Sequence, residues 1–293
     1  MEDFYINNTF EDCNNYSCPT QGVEVVTLSI ETAYNIVQGV IICVGLPLTL
    51  VAILLLCSLE KKNHATPIYV INLLISDLLQ LCSLIVWLVP HESGKLNDVF
   101  FYVYFLGEMA SVGFMVCVAL ERYLVITHPL WYRFSRSIKI SGVVCVVVWL
   151  LPLIYLIPFF LGVKRLIREI ILGVYHMLPL PLFIFFLGGT LKALLAASRI
   201  PATEKRRILG ILVLVLLNYL FLFMPSVIWS LIETTRKNKI FSYTSYVLLY
   251  CSPLADVFLY VFIRKGVVDN LLASLCCCKM DNGSVEATSA ATV

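Results

Sequence analysis

Beyond about residue 30 the chain alternates long apolar runs with short polar segments. Seven runs, at approximately 33–58, 67–89, 99–127, 140–161, 171–197, 207–232 and 242–263, reach the roughly 20 residues that a helix needs to cross a hydrocarbon core of about 30 Å. Inside lipid each backbone amide must be satisfied within its own segment, so runs of this length predict helices rather than open strands. β-barrel strands are excluded, because the runs are too long and do not alternate. The pattern therefore predicts an all-α fold, a bundle of seven transmembrane helices.

The flanks differ from the middle. Residues 1–30 are polar and acidic, and lack the basic start and apolar run of a secretory signal peptide. Two N-x-[ST] sequons, at Asn7 and Asn15, predict a glycosylated tail on the outside of the cell. After the seventh run, Val267, Val268, Leu271, Leu272 and Leu275 share one face of a helix, and Arg264, Lys265, Asp269 and Asn270 lie largely on the other. Such a stripe suits a short helix along the inner leaflet. Cys276, Cys277 and Cys278 follow as candidates for S-palmitoylation, the alternative being three unmodified thiols. The expected division is thus an outer tail (1–30), a seven-helix domain (31–263), an amphipathic helix with its cysteines (264–278) and a disordered inner tail (279–293).

Composition agrees with the pattern. Hydrophobic residues make up 60% of the chain and charged ones 14%, and the mean hydropathy is +0.89, whereas a soluble domain carries about 25% charge. A net charge of +2 without a basic tract gives no support for a nucleic-acid partner. No CxxC pair or HExxH stretch points to metal or redox chemistry. The basic residues set the orientation. With the N-terminus outside, 14 of the 21 Lys and Arg fall on the inner side and 7 on the outer, an excess that favours N-outside, C-inside.

Several short motifs fall in register with the runs. Glu121-Arg122-Tyr123 closes the third, followed by His128-Pro129-Leu130; Asn72-Leu73-Leu74-Ile75-Ser76-Asp77-Leu78-Leu79 lies in the second. Trp149 stands midway along the fourth, Pro225 within the sixth, and Asp256-Val257-Phe258-Leu259-Tyr260 ends the seventh. Together they resemble the rhodopsin-like (class A) G-protein-coupled receptors: their [DE]-R-Y, N-L-x-x-x-D-L-L and [ND]-P-x-x-Y segments, in the same helices and order. The departures mark a divergent member. Thr49 stands where the family carries Asn, Phe223 at its toggle tryptophan, and Val257 at its seventh-helix proline, with Pro253 one turn earlier. The outer end of the third run has no Cys, so the family's usual disulfide is missing, and only Cys13 and Cys18 remain outside. That absence and the Pro129–Arg133 segment resemble Mas-related receptors.

Candidate chemistry follows from charges inside the runs. Asp77, Glu108 and Asp256 would sit at bilayer depth, where a charge costs about 2.5–3.5 kcal/mol on insertion scales, so each should face the bundle or a watery cavity. Asp77 and Asp256 read either as separate core acids or, as the resemblance implies, as an internal water and sodium site completed by Ser111. Sodium is then the one ion expected, and no other cofactor or metal is. Two acids so close would also make the site sensitive to protons. Glu108, about 21 Å outward of Arg122 along a helix, meets either a ligand or a neighbouring helix. Tyr104, Phe105, Glu108, Phe223, Trp229, Tyr246 and Tyr250 are the candidate ligand-pocket residues, against a reading as packing or interface belt. Tyr104 stands where amine receptors carry Asp, which disfavours an amine ligand.

Glu121, Arg122, Tyr123 and Tyr260 form the candidate switch for coupling to a G protein, with Arg122 as a plain positive-inside arginine the simpler alternative. Lys205, Arg206, Arg207, Arg133 and Arg136 would flank the partner's groove. Outside, Lys164, Arg165, Arg168, Arg236, Lys237 and Lys239 suggest an anionic ligand such as a lipid acid, a nucleotide or an acidic peptide. The resemblance thus implies a plasma-membrane receptor, and not an enzyme, that passes the binding of an extracellular ligand of unknown class to a heterotrimeric G protein. The alternative is a proton- or cation-conducting transporter or channel using the buried carboxylates; against it, the two halves show no obvious repeat.

Overall fold

The computed structural model describes residues 20–60, 68–89, 94–128, 138–196 and 202–263. The sequons with Cys13 and Cys18, the Pro129–Arg133 segment with Arg136, and everything from Arg264 onward lie outside them. The described chain is helical: α1 Thr20–Glu60, α2 Ile68–Leu88, α3 Gly94–Thr127, α4 Ile138–Phe160, α5 Arg165–Met177, α6 Pro179–Ala196, α7 Ala202–Leu231, α8 Glu233–Lys237, α9 Lys239–Tyr250 and α10 Ser252–Ile263. Among the described residues there is no strand.

Proline chemistry within two of the spans divides seven helices into nine, and the short α8 between the sixth and seventh spans makes ten. In the fifth, the Leu178 N–H still bonds to Val174 O at 3.2 Å, but Pro179 has no N–H to give to Tyr175, so α5 ends and α6 begins. In the seventh, the Cys251 N–H bonds to Val247 O and Leu248 O, both at 3.1 Å, and Pro253 has none for Leu249. The expected single helix over 242–263 is therefore two helices of 12 residues each. Six spans are long and apolar enough to cross a bilayer by themselves: Thr32–Cys57, Ile68–Leu88, Lys95–Thr127, Lys139–Pro158, Leu166–Ala196 and Ile208–Leu231. The broken α9–α10 pair makes the seventh. Elsewhere Pro47 and Pro225 are absorbed within α1 and α7. α1 also starts earlier than its apolar run: residues 20–30, read from sequence as tail, are helical.

α3 is the central helix, packed against α2, α4, α6 and α7, and its interface with α2 is the most extensive in the bundle. α1 closes one side on α2, α9 and α10; α7 closes the other on α5, α6, α9 and α10. The interior is apolar, with Leu73, Leu81, Leu84, Met109, Phe114, Met115, Val215, Tyr219, Phe223 and Leu249 buried. The exterior is apolar too, as Val143, Val146, Val147, Leu150 and Ile154 of α4 show. Without a hydrophobic contrast between lipid and core, close packing and interhelical hydrogen bonds must select the arrangement. Gln38 Nε2 donates to Leu84 O at 2.8 Å (α1 to α2), Trp149 Nε1 to Asn72 Oδ1 at 3.0 Å (α4 to α2) and Tyr175 Oη to Met109 O at 3.2 Å (α5 to α3).

Gly107 lets α2 and α3 approach so closely. A Cβ there would lie 2.8 Å from the Ser76 carbonyl oxygen, which is backbone and cannot swing aside. A Cβ at Gly142, on the lipid face of α4, would meet nothing within 4 Å. Gly107→Ala is expected to destabilise the purified protein by about 1–3 kcal/mol in thermal unfolding, the usual cost of overpacking, with Gly142→Ala neutral or slightly stabilising.

Candidate functional site

Two of the three buried carboxylates among the described residues, Asp77 and Asp256, come together at the middle of the bundle. Asp256 of α10 is fully buried and accepts from Ser111 Oγ of α3 at 3.0 Å (Oδ2) and from Asn218 Nδ2 of α7 at 3.1 Å (Oδ1). Asp77 of α2, also fully buried, neighbours the Asp256 carboxyl and takes a long bond from Gln80 Nε2 at 3.4 Å; Ser252 Oγ donates to Gln80 Oε1 at 3.2 Å. Asp77 Oδ2 has no donor among the described residues. Asp77, Ser111 and Asp256 thus come together from three helices, as the motif positions imply. Asn218, Gln80 and Ser252 were not anticipated: neutral polar residues in an apolar run give no charge signal. The oxygens a hard cation would take here are those of the two carboxylates and the Ser111 hydroxyl, since Asn218 and Gln80 turn their NH2 groups to the acids.

Along α3, towards the end at which that helix begins, lies a cluster of aromatic rings. Tyr104 packs on Trp87 of α2 (ring centroids 5.2 Å apart) and on Tyr250 of α9 (5.4 Å), and Tyr34 Oη of α1 donates to Tyr250 Oη at 2.7 Å. Phe105 meets Tyr104 and Tyr155; Tyr246 bridges Trp229 and Tyr250. Trp229 Nε1 donates to Ser242 Oγ at 2.7 Å. Trp87 Nε1 and Tyr104 Oη are buried without a partner among the described residues. Of the seven candidate pocket residues, six are buried and Tyr246 is half-buried. Five belong to this aromatic layer and two, Glu108 and Phe223, lie beneath it.

Glu108 faces a neighbouring helix. His176 of α5 approaches it with Nε2 2.7 Å from Oε1, both side chains fully buried. The imidazole also lies against Phe223 of α7 (centroids 5.7 Å, planes 32° apart), and Phe223 stacks on Tyr219 (5.4 Å, 17°). Sequence reading passed over His176, since a lone His in an apolar run announces no partner.

At the opposite end of α3, Glu121, Arg122 and Tyr123 are half-buried, and Arg122 Nε has no partner among the described residues. Tyr123 packs on Phe185 and Phe186 of α6, and a Cβ at Gly189 would come within 2.6 Å of its ring. Tyr260 is buried among Ala52, Leu56, Val70, Leu74 and Val118, its hydroxyl also unpartnered. Tyr123 thus lies on α6, and Tyr260 packs among residues of α1, α2 and α3. Lys205 donates from Nζ to Leu194 O at 2.8 Å and caps α6. The basic rim at the Tyr104 end is also partly neutralised: Arg236 Nη1 meets Glu169 Oε2 at 2.7 Å, and Lys237 meets Glu233 at 3.0 Å. The latter pair is fully solvated and lowers the pKa of Glu233 through its hydrogen bond and charge.

Comparison with known proteins agrees with this arrangement. The family described as 7 transmembrane receptor (rhodopsin family) matches residues 48–260. The chain is 26% identical to proteinase-activated receptor 2 from Bos taurus, over 89% of this chain and 77% of that protein. It is 28% identical to G-protein coupled receptor 183 from Rattus norvegicus, over 42% of this chain and 36% of that protein, and 31% identical to a purinoceptor from the same organism, over 42% and 40%. With these last two it therefore shares less than half of their length.

Replacing Asn218 with Leu leaves Asp256 Oδ1 buried with one donor fewer. A loss of about 1–3 kcal/mol is expected, the cost of an unsatisfied buried acceptor, read as a lower unfolding midpoint; Asn218→Ser, which can still donate, should lose less.

Proposed function

The chain belongs to the rhodopsin family of seven-transmembrane receptors, a multi-pass G-protein-coupled receptor by that membership, and from this premise we propose how it works. It lies in the plasma membrane with its N-terminus outside, as the excess of Lys and Arg on the opposite side supports. An extracellular ligand settles on the aromatic layer around Tyr104, Trp229, Tyr246 and Tyr250, and the bundle passes the change to a heterotrimeric G protein at the Arg122 end. The observation that carries this reading is the cluster at Asp256, which ties α2, α3, α7 and α10 together midway between those two ends.

A relay requires an element with two arrangements that ligand and partner favour differently. Here the hinges are the proline breaks near Pro253 and Pro179 and the absorbed Pro225. Asp77, Ser111 and Asp256 would hold a sodium ion, which would supply positive charge between the two carboxylates and favour the arrangement that keeps α2, α3 and α10 together. Arg122, with an unpartnered Nε at the far end, is the group that turns to the G protein, and Tyr260 fills the space opened behind it.

The ligand's chemistry follows from what is already paired. Glu108 is occupied by His176, so it offers no free counter-charge to an amine. Unpartnered Trp87 Nε1 and Tyr104 Oη suit a ligand bringing a hydrogen-bond acceptor, and the exposed Lys164 and Lys239 suit an anionic head group, lipid or peptide.

Nucleotide exchange on a panel of purified G proteins, with the receptor in nanodiscs, tests this function. Exchange above the protein-free rate is expected without ligand, and Arg122→Ala should reduce it at least tenfold while surface expression persists. Exchange unaltered by that substitution would remove the mechanism. Sodium should raise the thermal unfolding midpoint of the native protein relative to choline, and Asp77→Asn should abolish the increment.

A further inference from the structure

We propose that His176 is a positioning residue, holding Phe223 and hence α7 in the resting arrangement through its contact with Glu108. The proposal deepens the relay described above, and rests on that reading for its consequence in signalling. Its geometry stands independently.

Three helices meet at this point. Glu108 belongs to α3, His176 to α5 and Phe223 to α7, and none of the three side chains is accessible to solvent. Nε2 of His176 lies 2.7 Å from Oε1 of Glu108, off the line of the ring N–H. At that distance the two polar atoms are in direct contact. In lipid surroundings neither group can exchange its partner for water, and an isolated charge or unpaired polar group there is expensive. The pair therefore resists separation of α3 from α5, and fixes the plane of the imidazole. That plane, 32° from the ring of Phe223 at a centroid distance of 5.7 Å, forms one wall of the Phe223 site; Tyr219, stacked on Phe223, forms another.

The location gives the pair leverage. Phe223 precedes Pro225 by two residues, and Pro225 removes a backbone hydrogen bond from α7. A side chain locked just below that weak point resists bending of α7, and one released there permits it. Two polar links join α3 and α5 at this level, Tyr175 Oη to Met109 O and the His176–Glu108 pair, and the pair is the one that lies against Phe223. Tyr175 Oη is committed to Met109 O, and the break at Leu178 follows His176 by two residues, so α5 cannot transmit stiffness from below. Neither Glu108 Oε2 nor His176 Nδ1 has another partner among the described residues, so rotation of either side chain meets no second polar restraint.

The test reads the position of α7 without relying on a G protein. Trifluoromethylphenylalanine replaces Gly210, on the lipid side of α7, where a Cβ would meet nothing within 4 Å, and its fluorine spectrum is recorded in nanodiscs without ligand. One dominant resonance is expected for the native pair. His176→Phe, which keeps an aromatic ring but loses the polar contact, and Glu108→Leu should each raise a second resonance at least threefold. Glu108→Gln, which keeps a polar group of the same shape beside Nε2, should keep the native spectrum, as should the exchange of the two residues, Glu108→His with His176→Glu. If Glu108→Leu fails to fold, His176→Phe carries the test. A native spectrum in His176→Phe, or a shift equally large in Glu108→Gln, would overturn the proposal. Loss of G-protein exchange in all forms, native included, would count against coupling and not against the pair.

Discussion

A carboxylate buried in lipid surroundings has to be answered by donors, and those donors must come from other helices. That is the constraint on which this bundle depends. Asp256 receives Ser111 from α3 and Asn218 from α7, and it faces Asp77 from α2. Apolar packing alone would not choose among helix rotations, because the outward surfaces of α4, α6 and α7 are as aliphatic as the core. The polar atoms choose. Each bond at Asp256 sets the rotation of one helix relative to α10, and the close approach at Gly107 sets the spacing of two more.

The same logic runs along one stripe of α3. Tyr104, Glu108, Ser111, Met115, Val118 and Arg122 recur at spacings of three and four, so they share the face turned into the bundle. Going from one end to the other, this face meets aromatic rings, then His176, then Asp256, then the apolar cluster around Tyr260, and finally the half-buried Arg122. An event at Tyr104 and an event at Arg122 thus act on one rigid helix, and the neighbours of that helix are interrupted by proline. A rigid axis among hinged partners is a physical basis for coupling between distant sites. The conducting alternative invited by buried acids loses its ground, since membership of a receptor family accounts for these positions.

Much of this was legible from the order of residues. Seven apolar runs gave the number of crossings, and the motif positions brought Asp77, Ser111 and Asp256 to one level. What escaped was of two kinds. Hydropathy averages side chains and cannot register a missing backbone N–H, so the breaks at Leu178 and Cys251 were read as continuous helix. Pairings between distant residues are equally invisible: Glu169 and Arg236 are 67 positions apart, and the rim looked more basic than it is. His176, Asn218, Gln80 and Ser252 share that second cause. Each is an isolated polar residue whose significance comes from the helix opposite. The bond of Lys205 has a local origin, since a long amine near a helix end will cap free carbonyls when they are in reach.

The central claim is that Ser111 and Asn218 act as one unit through Asp256. A double-mutant cycle of Ser111→Ala and Asn218→Ala, read by reversible unfolding of the reconstituted protein, addresses it directly. The account predicts that the two losses do not add, with a coupling of about 0.5 kcal/mol or more, as for neighbours that share a partner. Losses that add to within about 0.3 kcal/mol, as they do for independent sites, would contradict it.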